Sequence, residues 1–396
     1  YPNEQLPAGR PLKTTPSYDA MSEAGCQWGN SWGLETPLYF APPTFREKPT
    51  LKRSNAFDIV GSECRAVREG VGLLDIAPFS RYEVTGPEAE RWLDWMTVAR
   101  PPKAGRAKLA PMLSESGRLK GDLTVINWGD GLFWIEGSYY LRAWHMRWFA
   151  DHARDGVMVR DISDDVIGFS ISGPNARALL ERVTHQDVSN AAMPFMGACV
   201  GDVGLVRARV ARLSVVGELG YEINCRALEH ETLRRTLLSA GRDLGVKEYG
   251  YNALNSLRLE KSFGIWSAEF TQAYTPRMTG MDRWIAWDKG EFVGRAAALA
   301  ERDGPPPPRQ LVTLEVDAHD ADASGYEPVW REGRRIGFVT SGGYGHTIGR
   351  SLAMALVAPD CAAVGTELSV HIVGAERGAR VIPPSPYDPA GKALRA

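Results

Sequence analysis

Apolar and polar positions along the chain switch repeatedly between a helical period and a strand period, and the switches outline its elements. From about residue 58, IVGSECRAVREGVGLLDI reads as a helix running into a buried apolar segment. RYEVTGPEAERWLDWMTVAR then reads as a strand, a Gly-Pro turn and an amphipathic helix with Ala89, Leu93 and Met96 on one face. RAKLAPML, RLKGDLTVINW and LFWIEG follow as strands at hairpin spacing, and SYYLRAWHMRWFADHA as a helix. DVIGFSISGPNARALLERV repeats the strand, Gly-Pro turn and helix, which suggests an internal pseudo-repeat of α+β units. A second hairpin, RARVARLSVV to YEINC across GELG, precedes two helices around 229–244 and 252–263.

The flanks break this pattern. Residues 1–48 are rich in Pro, Gly and aromatic side chains and read as an extended arm that docks through its rings. ERDGPPPPRQ is the clearest boundary, because consecutive prolines stop a helix and form a stiff spacer. Beyond it, six short strands with turn signals predict a small antiparallel barrel or sandwich. The expected units are therefore 1–48, 49–304 with two α+β subdomains, and a β-barrel at 309–385.

Composition narrows the function classes. A chain of 396 residues with 44% apolar and 24% charged residues is ordinary globular material, long enough for two or three domains. A formal net charge of −2 argues against a broadly basic nucleic-acid surface. No apolar run approaches a membrane span, and the first residues lack a signal-peptide pattern, so a cytoplasmic location is expected. The 5 cysteines form no CxxC pair and the 7 histidines no zinc spacing, which points to reduced thiols and no metal.

Three positions could carry chemistry. Asp122 follows Gly121 on a strand just past a hairpin, where a ligand can approach closely; it would serve as a general base or an orienter of an amine. An unperturbed carboxyl near ~3.9 is already basic at neutral pH. Glu222 and Asn224 share one face of a strand, with Tyr221 and Ile223 on the other, so Glu222 could pair with an amidine-like or pterin edge. Arg258 lies beside the apolar face of a helix for which Asn252 is a plausible N-cap, where it could grip a carboxylate or phosphate. From the residues alone a solvated surface carboxylate is the favoured reading of both Asp122 and Glu222, and Arg258 reads as well as a snorkelling surface residue. TSGGYGHTIGR lacks the strand-GxGxxG-helix context of a dinucleotide site.

A string of motifs in fixed order decides further. GLLDIAPF (72–79), PMLSESGRLKGDLTV (111–125), ISGPNARALL (171–180), GELGYEI (217–223) and LRLEKSFGIW (257–266) resemble the aminomethyltransferase, or glycine-cleavage T-protein, family. DKGEFVGRAAAL (288–299), GYEPVW (325–330) and GFVTSGGYGHTIGRSLAMALV (337–357) continue the resemblance, which is nearer still to the folate-binding half of dimethylglycine and sarcosine dehydrogenases. The resemblance implies an α+β, three-domain fold around a tetrahydrofolate channel. It implies Asp122 as the acidic residue assisting one-carbon transfer, Glu222 as the pterin carboxylate, Tyr221 as a wall and Arg258 as a ligand residue.

Two positions depart from the family pattern: Met278 stands where a glutamate is usual, and Ala77 where a small hydroxyl residue is common. The resemblance further implies a one-carbon transferase that captures a formaldehyde-level unit from an N-methyl amine or iminium donor. The rival readings are a self-contained folate-dependent demethylase and a non-catalytic folate-binding module. YPNEQLPAGRPLKTTPSYDAM resembles the tail of the dehydrogenases' substrate domain. FAD is therefore expected not on this chain but on a flavoprotein domain or subunit that partners it.

Overall fold

The structure is a computed structural model and describes residues 4–396; residues 1–3, the start of the expected arm, lie outside the described residues. The helix Phe57–Glu69 buries Val60, Cys64 and Val67 at helical spacing, and Gly70 turns the chain straight into the fully buried strand Val71–Asp75. That strand joins a six-stranded sheet in the spatial order Ala198–Val203, Val206–Ala211, Gly220–Arg226, Val166–Ser172, Val71–Asp75 and Val246–Glu248. A five-stranded sheet runs in the order Met158–Asp161, Phe79–Thr85, Leu132–Ser138, Thr124–Gly129 and Arg106–Leu109.

The repeated Gly-Pro turns sit at equivalent places. Gly86 links Phe79–Thr85 to the helix Ala89–Met96, and Gly173 links Val166–Ser172 to the helix Ala176–Glu181. Their φ angles are +111° and +138°, and a Cβ at either would lie 2.2 or 2.4 Å from a backbone carbonyl oxygen. Only glycine fits such a corner. Ala89, Leu93 and Met96 are buried, as the helical spacing predicts.

Past the proline run, six strands close into a barrel in the order Gln310–Val316, Arg350–Val357, Arg334–Gly345, Pro328–Arg331, Glu367–Ile372 and Ala375–Ile382. Its interior is a continuous apolar cluster that includes Leu314, Val339, Ala355 and Val370. The glycine-rich TSGGYGHTIGR forms the turn of the hairpin between Arg334–Gly345 and Arg350–Val357. Among the described residues, no helix is long and apolar enough to cross a membrane.

The described part of the first 48 residues packs onto the rest of the chain instead of extending as an arm. It forms a short helix, Tyr18–Glu23, and a hairpin of Cys26–Ser31 and Leu34–Phe40. Tyr39 and Ala41 share a core with Val60, Leu74 and Ala253. Buried Glu63 fastens the hairpin by accepting the Phe40 N–H at 2.6 Å and the Gly250 N–H at 3.0 Å. Sequence alone left those rings without a core because their partners lie far along the chain. A second difference is local: Gly250, not Asn252, is the N-cap of the helix Tyr251–Leu259, although Leu254 and Leu257 are buried as expected.

Candidate active site

The chemistry collects between the two sheets. In the five-stranded sheet, Glu136 on Leu132–Ser138 lies directly opposite Thr124 on one side and Arg81 on the other. Directly opposed residues share a sheet face. The other face carries Tyr82, Val125 and Ile135 into an apolar core, so Thr124, Glu136 and Arg81 face away from it. Asp122 precedes Thr124 by two residues, in the break between Leu119–Gly121 and Thr124–Gly129.

In the six-stranded sheet, Tyr221 and Ile223 go into a core with Phe169 and Ile171, which leaves Glu222 and Asn224 on the opposite face. The two polar faces meet. Arg81 donates from Nε to Asn224 Oδ1 at 2.7 Å, and its Nε stands 4.0 Å from Glu136 Oε1. Arg81 is anchored from behind by the Ile76 and Phe79 carbonyls at 3.2 and 3.1 Å.

Asp122 is half-buried. Loss of water, reinforced by the negative charge of Glu269, pushes its carboxyl from 3.8 up to about 6, against a backbone hydrogen bond that pulls it down. Lost water thus holds the Asp122 carboxyl above the ordinary carboxylate range. Tyr140 adjoins it, its hydroxyl pushed up to about 12 by burial and by the Asp122 charge.

Glu269 comes from the third direction. It is fully buried, accepting from Thr340 Oγ1 at 2.5 Å and Ser341 Oγ at 2.6 Å on the barrel and from the Ile265 N–H at 3.0 Å. The barrel therefore helps set the proton affinity of Asp122. Tyr140 belongs to an aromatic cluster with half-buried Trp144 and Phe270 and buried Trp266.

Glu222 and Glu136 face each other. Desolvation first, then the other's negative charge, raises Glu222 far above the carboxylate range, while Arg81 opposes the rise. Desolvation likewise raises Glu136. Two atoms here have no hydrogen-bond partner, Glu136 Oε1 and Asn224 Nδ2: one buried acceptor and one buried donor. Native structures rarely strand such groups without a use for them.

Two of the expected site residues lie elsewhere. Tyr221 is fully buried on the core face, its hydroxyl donating to the Val188 carbonyl at 3.3 Å and accepting from Arg177 at 3.2 Å. Strand alternation sends neighbours to opposite faces, so Tyr221 lies in the core while Glu222 faces the other way. Arg258 is buried, and its Nη1 contacts the Phe263 carbonyl, Glu269 and Ser341 at 3.1, 3.4 and 3.0 Å. It ties the helix Tyr251–Leu259 to the barrel before it can serve a ligand.

Sequence reasoning missed Arg81, Glu136, Glu269 and Tyr140. A signal existed for the first two, because each is charged inside a strand whose alternate residues are apolar. A groove of about 510 Å³ on the barrel, lined by residues such as Arg53, Glu315, Tyr344 and Arg350, contains none of this chemistry.

The chain is similar to known proteins over most of its length. Residues 17–289 match the GCVT N-terminal domain, and residues 309–388 match the glycine cleavage T-protein C-terminal barrel domain. The first match begins inside the stretch expected to be a separate arm, in keeping with the buried hairpin. Dimethylglycine dehydrogenase, mitochondrial, of Rattus norvegicus is 32% identical over 96% of this chain and 45% of its own length. The chain thus spans about half the length of the curated relatives of that kind. An aminomethyltransferase of Koribacter versatilis is 32% identical over 81% of this chain and 86% of its own. The crystal structure of glycine cleavage system aminomethyltransferase T from Bartonella henselae superposes with a TM-score of 0.82, over 95% of this chain and 98% of that one, at 23% identity. Two packed α+β halves, a closing barrel and family matches over most of its length make this chain a member of the aminomethyltransferase, or glycine cleavage T-protein, family.

Proposed function

We propose that the protein transfers a one-carbon unit at the formaldehyde level from an N-methyl amine-derived donor, of the dimethylglycine or sarcosine type, to tetrahydrofolate, giving 5,10-methylenetetrahydrofolate. The observation that carries this reading is Asp122, a half-buried carboxyl that lost water and the charge of Glu269 push up to about 6. A positioned base with that property is ionised at pH 7 and still basic enough to take a proton from an amine in a transition state. A passive binding module has no need of it.

The residues facing the channel suit a reduced pterin. Glu222 offers two acceptor oxygens to a neighbouring N–H and NH2, and orphaned Asn224 Nδ2 and Glu136 Oε1 supply one further donor and acceptor. Tetrahydrofolate would supply nucleophilic nitrogens for the carbon unit. Asp122 would then hold or accept the amine proton, and the rings of Tyr140, Trp144 and Trp266 would exclude water and suit a cationic iminium donor. The donor would be produced by a flavoprotein domain or subunit, since removing a hydride from an amine is work for a redox cofactor.

The test uses the purified chain with tetrahydrofolate and formaldehyde, and separately with a dimethylglycine-oxidising flavoprotein. Methylenetetrahydrofolate should form faster than by uncatalysed condensation. A rate equal to the uncatalysed one, together with no calorimetric binding of tetrahydrofolate, overturns the proposal.

A further inference from the structure

Glu136 is 8% exposed, its Oε1 has no hydrogen-bond partner, and it looks across the gap between the sheets at Glu222. The surrounding charges come from every element that packs there. Arg81 of the five-stranded sheet stands 4.0 Å from Glu136 Oε1. Asn224 of the six-stranded sheet is spent at Oδ1 on Arg81 and free at Nδ2. Tyr251 donates to the Asp75 carbonyl at 3.2 Å, and Asp75 Oδ1 accepts the Ala77 N–H at 2.8 Å and faces His230 at 3.5 Å. Arg81 is thus the one cation placed to offset two facing carboxyls, among the described residues that meet there.

We propose that Glu136 is a ligand-recognising residue: with Glu222 it holds one proton in common, and the channel accepts a heterocycle edge bearing several N–H donors by giving that proton up to solvent. The proposal rests on the folate reading and sharpens it. Two buried carboxyls that interact across the sheets cannot both ionise cheaply beside a single guanidinium, so an unliganded pair keeps a proton. A donor edge needs Glu222 as a full carboxylate, and the ligand's N–H groups then occupy the oxygens that the proton held. No covalent bond changes; one proton passes to buffer for each ligand bound. Glu136 Oε1, left without a partner in the protein, becomes an additional acceptor for the same edge. Specificity follows, because a ligand with a single N–H cannot repay the release.

The experiment is tetrahydrofolate binding by calorimetry from pH 6 to 9, in buffers of different ionisation heat. The wild-type Kd should tighten as pH rises, approaching tenfold per pH unit at its steepest, with release of up to one proton. Glu136→Gln keeps the shape and removes the like charge, so affinity at pH 7 should be equal or tighter, flat across the range, and without proton release. Glu222→Gln leaves one carboxyl and should lose most affinity at every pH.

A wild-type Kd independent of pH, or a Glu136→Gln protein that keeps the wild-type slope, overturns the proposal. The unliganded protein gives a second readout: in ¹³C-carboxyl NMR, Glu136→Gln should move the Glu222 titration to lower pH, and an unmoved titration also overturns it. If tetrahydrofolate binds nowhere in the range while the NMR shift appears, the folate reading fails and the shared proton stands.

Discussion

Asp122→Asn should damage catalysis and stabilise the fold at once, and the opposite signs are what make it informative. Lost water raises the Asp122 carboxyl from 3.8 to about 6. Each tenfold displacement of that equilibrium is worth about 1.4 kcal/mol, so holding the charged form in the folded protein costs at most about 3 kcal/mol at pH 7. Because half-burial leaves some screening, about 1–2 kcal/mol is the better expectation. The folded value lies above the unfolded one. The group's contribution is therefore intact below the unfolded value and is lost as pH rises through about 6. Asparagine carries no such cost, so its thermal midpoint should exceed the wild type's at pH 7, and the difference should shrink as pH falls and vanish below the unfolded value.

Activity should move the other way, falling about 10²–10⁴-fold in single turnover at saturating tetrahydrofolate, with affinity nearly unchanged. The wild-type rate should itself rise about tenfold between pH 5 and 7, as the ionised fraction climbs through a midpoint near 6; a solvated aspartate would leave it flat. A flat profile, or an asparagine variant that is both active and no more stable, would refute the desolvation argument.

Glu222→Ala should weaken tetrahydrofolate about ten- to a hundredfold by calorimetry, the worth of a sheltered charge-assisted hydrogen bond. Tyr221→Phe should leave that affinity within about twofold, because the ring faces the core and not the channel. Arg258→Ala strands buried Glu269 without its cation and should destabilise the protein by about 3–5 kcal/mol in denaturant unfolding. Gly250→Ala places a Cβ 2.1 Å from the Leu38 carbonyl oxygen and should cost about 1–3 kcal/mol by prying the N-terminal hairpin from its helix.

What the sequence determined by itself was local and periodic. The amphipathic face of Ala89, Leu93 and Met96, the paired Gly-Pro corners, the six barrel strands and the proline boundary all follow from spacings within a few residues. Strand alternation already placed Glu222 and Tyr221 on opposite faces, and the Tyr221 ring lies in the core. Asp122 and Glu222 stood out through ordered motifs, since neither residue alone distinguishes a site from a wet surface. Tertiary structure decided the rest, because the chemistry is made by faces that meet from distant parts of the chain. Arg81 reaches Asn224 across 143 positions. Glu269 is held by barrel residues 71 and 72 positions away. Tyr39 gains a core only when its hairpin, fastened by Glu63 to Gly250, packs on distant helices. Proton affinity belongs to the same class: the rise at Asp122 and the pairing of Glu136 with Glu222 come from lost water and facing charge, which arise only when the sheets close on each other.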